Sequence, residues 1–156
     1  FDQYHQRVPF IRGLRDSASR IGANRGYVKT ILGRKCRFNL YEPIFSASKV
    51  TPLPQNIARA RWGRVRRAYT YKAMNALIQG SSADIMKKAM LDIYKSGITD
   101  EIGVPMITCH DEVDFSIPKG KEHLANDIKD IMENTVKLDV PLFVEIEKGN
   151  SWNVAH

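Results

Sequence analysis

Hydrophobic and polar positions change period along this chain, and the changes mark its elements. In residues 1–25 the apolar positions Tyr4, Val8, Ile11 and Leu14 fall on one helical stripe, with Arg7, Arg12, Arg15 and Arg20 around it. Pro9 is expected to kink or break this helix at its middle, and Gly22 and Gly26 to end it. Residues 27–32 then alternate like a strand, Gly33-Arg34 is a turn signal, and residues 35–38 continue as a second strand. This predicts a short basic hairpin presenting Lys29, Arg34, Lys35 and Arg37.

Residues 39–57 lose any period. Pro43, Pro52 and Pro54, with Ser46 and Ser48, predict a long loop, and long loops tend to be functional or flexible. Residues 57–96 read as helix, broken near Gly63, with Leu77, Ile78, Ile85, Met86, Ala89, Met90 and Ile93 as the apolar face. Gly80, Ser81, Ser82 and Ala83 put a patch of small residues inside that helix. A glycine there costs ~1 kcal/mol against alanine, and close approach by a neighbour is the usual reason. In the last third, residues 104–109 and 113–117 are strand-like runs around His110-Asp111-Glu112. A helix follows with Leu124, Ile128, Ile131, Met132 and Thr135/Val136 on one face. Residues 140–147 read as a returning strand in which Leu142, Val144 and Ile146 alternate. Hairpin, helix and returning strand give an α+β layer with helices on one face of an antiparallel sheet.

Composition narrows the class. With 156 residues, 43% of them hydrophobic, the chain is about one domain long and too apolar for a disordered segment. No apolar run approaches the ~20 residues that span a bilayer, and no secretory pattern opens the chain, so a cytoplasmic protein is expected. Cys36 and Cys109 have neither Cys-x-x-Cys partners nor histidines at zinc spacing and read as reduced thiols, Cys109 packed in a strand. The net charge of +7 conceals an asymmetry. Residues 1–72 hold 16 Lys+Arg against 3 Asp+Glu, whereas residues 73–156 hold 8 against 14. Twelve of those sixteen cations are arginine, the side chain suited to bidentate phosphate contact, so a polyanionic partner is expected on the first part.

His110-Asp111-Glu112 is the chemical focus of the second part. Adjacent carboxylates in a tight turn repel each other unless solvent or a cation relieves them. A solvated acidic turn is one reading. A divalent cation for phosphoryl transfer is the other.

The motifs taken in order resemble the C-terminal part of family A DNA polymerases. They are Gly26-Tyr27-Val28-Lys29-Thr30, Leu32-Gly33-Arg34-Lys35, and residues 75–84, which read Asn-Ala-Leu-Ile-Gln-Gly-Ser-Ser-Ala-Asp. His110-Asp111-Glu112-Val113 follows, and Leu138-Asp139-Val140-Pro141-Leu142 with Ser151-Trp152-Asn153-Val154-Ala155-His156 closes the series. Residues 39–57 look like an insertion relative to the bacterial form, of a kind similar to phage-borne relatives. The resemblance implies a fragment of a right-hand polymerase fold: a basic helix, hairpin and loop region contacting DNA over 1–72, and a palm subdomain over 73–156. His110-Asp111-Glu112 resembles the palm's motif C. Asp111 would then be one of two catalytic aspartates holding a pair of Mg²⁺ ions, and Glu112 a supporting carboxylate. His110 would hydrogen-bond the primer end. Asn75 and Gln79, one helical turn apart, would lie against the minor groove of primer–template DNA, whose acceptors are common to every correct pair. Lys29, Arg34, Lys35 and Arg37, with Arg64, Arg66 and Arg67, would grip phosphates. Where bacterial relatives carry an arginine eight residues before the glutamine, this chain has Tyr71, and Arg67 is expected to substitute. Gly80, Ser81 and Ser82 would be small because DNA or a palm helix comes close. Asp84 reads as a helix-face acid able to pair with Lys88.

Two motifs of the family have no counterpart here. There is no Asp-Tyr-Ser strand supplying the other aspartate, and no fingers helix of the Lys-x-x-x-Asn-Phe/Tyr-x-x-x-Tyr-Gly type to bind dNTP. In the family's order both lie upstream. The expectation is a chain inactive alone and dependent on an N-terminal polypeptide that carries them, with apolar surface exposed where that partner packs. The chain starts at Phe1, which leaves open a split gene, a processed product or a piece of a longer protein. Two other classes compete: a non-catalytic DNA-binding module that keeps the fold, and a metal nuclease using Asp111 and Glu112. The nuclease lacks further ligands at useful spacing.

Overall fold

The computed structural model describes residues 7–45 and 50–155, so Tyr4, Ser46, Ser48 and His156 lie outside the described residues. By backbone contacts the chain divides into two compact units, residues 1–81 and 82–156. Among the described residues every strand pairing is antiparallel, in keeping with the predicted α+β class.

In the first unit, helix α1 runs Phe10–Arg25. Pro9 breaks the helical run as expected: Arg7 is helical, Val8 and Pro9 are not, and Pro9 precedes α1's first residue, where a missing N–H costs nothing because it would have no intrahelical partner. The buried stripe differs from the expected one. Ala18 and Gly22 are buried, while Leu14 is 43% exposed. Gly22 lies inside the helix because a Cβ there would stand 3.1 Å from the Phe38 ring. Gly26 ends the helix in the left-handed conformation (φ 78°), its N–H bonded to the Gly22 carbonyl. The predicted hairpin follows, shorter than expected: β1 (Tyr27–Lys29) pairs with β2 (Lys35–Arg37). Val28 on its inner face joins Ala18, Phe38 and Ala73 in a small core, with Cys36, Met74 and Leu77 against it.

The expected long loop contains two strands, β3 (Leu40–Pro43) and β4 (Leu53–Pro54), which join β5 (Val65–Arg67), from the stretch expected to be helical, in a three-stranded sheet of order β4-β3-β5. Its prolines hid it. Pro54 lies on the edge strand, and Pro43 sits at the end of β3, opposite Val65 and beyond the two-residue pairing with β4. Neither position must donate to a second neighbour. Helix α2 (Gln55–Trp62) packs on this sheet. The break near Gly63 is therefore a strand and a 3₁₀ turn (Thr70–Lys72), after which α3 runs Ala73–Lys95.

In the second unit, Ala89 and Ile93 of α3 are buried as expected. Ile93, Ile102, Leu124 and Ile128 form the core, with Phe115, Ile117, Ile131 and Met132 packed on it. They join α3 to α4 (Ile98–Ile102) and α5 (Leu124–Asn134), which buries the predicted face. The acidic hairpin is β6 (Ile107–Cys109) paired with β7 (Glu112–Asp114). Cys109 is in a strand, but exposed rather than packed. Residues 140–147 form no strand. Leu142 and Val144 remain half-buried in alternation, yet no neighbouring strand pairs with them among the described residues. The Val144 N–H donates instead to the Glu133 carboxylate at 2.8 Å. A short helix α6 (Trp152–Ala155) closes the described chain.

Candidate functional site

The basic hairpin separates its faces cleanly. Val28 and Cys36 point to the core, so Tyr27, Lys29, Lys35 and Arg37 share the outer face. Lys29 stands directly opposite Lys35, an arrangement that destabilises a hairpin unless an anion answers it. The Lys35 ammonium lies 4.9 Å from the Tyr27 ring centroid, which holds one cation in place over an aromatic face.

Arg34 and Gly80 explain how the hairpin is seated. The Arg34 guanidinium donates to the Gly80 carbonyl at 2.8 Å. Ser81 Oγ accepts from the Ile31 N–H at 3.0 Å and donates to the Leu77 carbonyl at 2.6 Å. A Cβ on Gly80 would stand 2.9 Å from the Thr30 methyl. The hairpin turn itself is thus the neighbour packed against Gly80 and Ser81. Asn75 and Gln79 do share an exposed face of α3, and the Asn75 side-chain amide Nδ2 donates to the Gln79 side-chain Oε1 at 3.2 Å.

Arg67 is committed inside the fold. Its guanidinium donates to the carbonyls of Ala23 (3.1 Å) and Phe38 (3.0 Å) and lies 5.1 Å from the Tyr41 ring centroid. It caps the C-terminus of α1, because the Ala23 carbonyl is among the last four of that helix. Gly26 makes room for it: a Cβ there would meet the guanidinium at 2.7 Å. Arg66 pairs with Glu42 at 2.9 Å. Tyr71 is 67% exposed and forms an edge-on pair with Tyr69, with the Lys72 ammonium 5.1 Å from Tyr69 and 5.9 Å from Tyr71. Sequence reasoning missed Tyr69 and Lys72, although the Tyr-x-Tyr-Lys spacing was visible.

In the second unit, Cys109 pairs with Glu112, so His110 and Asp111 alone make the hairpin turn. His110 adopts φ 52°, one of two described non-glycine residues with positive φ. Two-residue hairpin turns ask for a positive φ, normally from glycine or asparagine, and such strain persists mostly where function holds it. His110, Asp111 and Glu112 are all exposed, as are all three residues of β6. Among the described residues no three His, Cys, Asp or Glu side chains come together to hold a metal ion. Asp111 and Glu112 fit a Mg²⁺ site only as part of one, since that ion is held by one or two carboxylates plus substrate phosphates. Further along, Lys88 pairs with Asp92 at 2.5 Å, and Thr135 donates to the same carboxylate oxygen at 2.6 Å. Those bonds, Lys88 first, hold the Asp92 carboxyl below its ordinary value of 3.8. No helix of the described residues is long and apolar enough to cross a membrane.

The sequence model of DNA polymerase family A matches residues 1–154. The chain belongs to this family. It is 31% identical over 153 residues to the thermostable DNA polymerase I of Thermus filiformis, covering 97% of this chain and 16% of that one. It is 33% identical over 151 residues to a DNA-directed DNA polymerase of Pseudomonas phage M6, covering 97% of this chain and 18% of that one. Among solved structures, the POL domain of Pol1 from M. smegmatis, in complex with DNA primer-template and dNTP, superposes with a TM-score of 0.75 at 28% identity. That match covers 99% of this chain and 25% of the other. The chain therefore spans less than a fifth of the length of these two curated relatives.

Proposed function

We propose that this chain is the C-terminal palm portion of a DNA polymerase, acting in template-directed nucleotidyl transfer to a primer 3′-hydroxyl. The observation that carries the reading is the two-residue turn of His110 and Asp111, exposed at a hairpin tip inside a family match over residues 1–154. In the reaction the 3′-oxygen bonds the α-phosphorus of a dNTP, the bond to the bridging oxygen breaks, pyrophosphate leaves, and the hydroxyl proton is lost. When bound, the Mg²⁺ pair acidifies the 3′-hydroxyl and offsets charge on the phosphoryl and pyrophosphate groups.

The chain's own residues position and bind. Asp111 offers a carboxylate ligand, sharing the ions with an aspartate that this chain does not carry. Glu112 supports it from the first position of β7. His110, held outward by its backbone, hydrogen-bonds the primer terminus. The Asn75–Gln79 bond uses one of the four amide N–H groups of the pair and leaves the others for minor-groove acceptors. Lys29, Lys35 and Arg37 meet backbone phosphates. An upstream fingers segment supplies the dNTP site, and the N-terminal polypeptide that includes it covers exposed apolar groups such as Met106 (70% exposed) and Phe143 (83%). The test is single-turnover incorporation by the polymerase containing this chain. Asp111→Ala should lower the rate by about a hundredfold or more while primer–template affinity holds. An unchanged rate would remove Asp111 from the site.

A further inference from the structure

The three-stranded sheet adds a feature that the proposed reaction does not use. Where β3 ends, a cleft is lined by Pro43, Ile44, Phe45, Trp62 and Arg64. Phe45 is 89% exposed, an aromatic ring held outside any core. The opposite rim is built by the end of α2. Gly63, with φ 70° and ψ −90°, turns the chain there and closes α2 through its N–H to the Arg59 carbonyl. The two rims are tied by the Ile44 N–H to the Arg64 carbonyl at 3.3 Å. The Arg61 guanidinium stands 5.7 Å from the Trp62 ring centroid.

Charge selects the occupant. Residues 43–83 contain five arginines and no Asp or Glu, and the preceding acid, Glu42, is paired with Arg66. Aromatic rings beside unbalanced guanidinium groups suit a polyanion that also offers flat apolar faces. Duplex DNA keeps its base faces stacked inside, whereas a single strand exposes them. We propose that this cleft binds single-stranded DNA, namely the unpaired 5′ template strand, with a base stacked on Phe45 and Trp62 and phosphates met by Arg61 and Arg64. The proposal rests on the reading that the protein works on primer–template DNA. It gives residues 40–45, part of what the sequence presents only as an insertion, a use: they build the strand and one aromatic rim.

The test measures anisotropy of labelled primer–template, blunt or carrying a short thymidine 5′ overhang, at fixed ionic strength. The overhang should tighten binding by the wild-type protein. Phe45→Ala and Trp62→Ala should each remove about tenfold of overhang affinity, with blunt-duplex affinity unchanged and Trp62→Phe retaining most of the gain. Phe45 is exposed enough for its truncation to leave folding intact. If the overhang adds no affinity, or both alanine variants keep its full benefit, the proposal is overturned. Blunt-duplex binding that survives in that case leaves the polymerase reading standing, and its loss as well would end both. Self-association abolished by Phe45→Ala would assign the cleft to a second copy and likewise overturn the proposal.

Discussion

Gly80→Ala sets two magnitudes of opposite sign against each other. Gly80 lies within α3, where alanine would gain about 1 kcal/mol of helix propensity. The added methyl would stand 2.9 Å from Thr30 Cγ2 and 3.2 Å from Arg34 Nη2. Arg34 is a flexible end that can swing, at the expense of its bond to the Gly80 carbonyl. Thr30 cannot easily move. It is 5% exposed, β-branched, and bound through Oγ1 to the Arg34 N–H. Overpacking of this kind costs about 1–3 kcal/mol, and strain on a charged hydrogen bond adds to it, so the net is a destabilisation of about 1 kcal/mol. Urea unfolding of wild type, Gly80→Ala, Thr30→Ser and the double variant measures it. Serine keeps the Oγ1 bond and removes the clashing methyl, so the double variant should recover at least about 1 kcal/mol relative to additivity. A stabilised Gly80→Ala, or additive effects in the cycle, would refute the claim that the hairpin turn dictates this glycine.

Three further outcomes follow from the same geometry. Arg67→Met should destabilise the fold by about 2–4 kcal/mol through two orphaned carbonyls while leaving the salt dependence of DNA binding unchanged; a flatter salt dependence would return Arg67 to the phosphate contacts. Lys29→Ala and Lys35→Ala should each reduce the slope of log affinity against log salt by about 0.9, with stability unchanged or raised by a few tenths of a kcal/mol as their mutual repulsion is relieved; an unaltered slope would take the hairpin face off the DNA. Asp92 has a depressed folded value, so the stability it contributes is present above the ordinary value of 3.8 and lost as pH falls through the folded one. The gap in unfolding midpoint between wild type and Asp92→Asn should therefore shrink below pH 3.8, and a pH-independent gap would contradict the Lys88–Asp92–Thr135 linkage.

Local signals in the sequence were enough for elements whose determinants are local. The β1–β2 hairpin, the acidic hairpin and the stripe of α5 follow from period, turn residues and spacing. What escaped depends on partners far along the chain. The β4-β3-β5 sheet pairs residues 40–43 with 65–67, and its prolines and arginines carry no strand signal of their own. The strand expected over 140–147 failed for the converse reason: its alternation is present, but a strand needs a neighbour. At the candidate site, the strand-like runs on either side placed His110, Asp111 and Glu112 at a hairpin, and the four-residue spacing placed Asn75 and Gln79 on one helix face. That Arg67 caps a helix and Arg34 is seated on the Gly80 carbonyl was not legible. Both are cations in a basic segment, and only the fold distinguishes an arginine bound to backbone carbonyls from the outward-facing lysines beside it.

Primer extension with Mg²⁺ and four dNTPs asks whether Asp111 completes a metal site shared with an upstream segment. It compares the 156-residue chain alone with the same chain joined to a family A segment carrying the other catalytic aspartate and the fingers helix. Incorporation is expected only from the joined protein, abolished by Asp111→Ala with primer–template binding retained. Incorporation by the isolated chain, or full activity of the joined Asp111→Ala protein, would contradict that expectation.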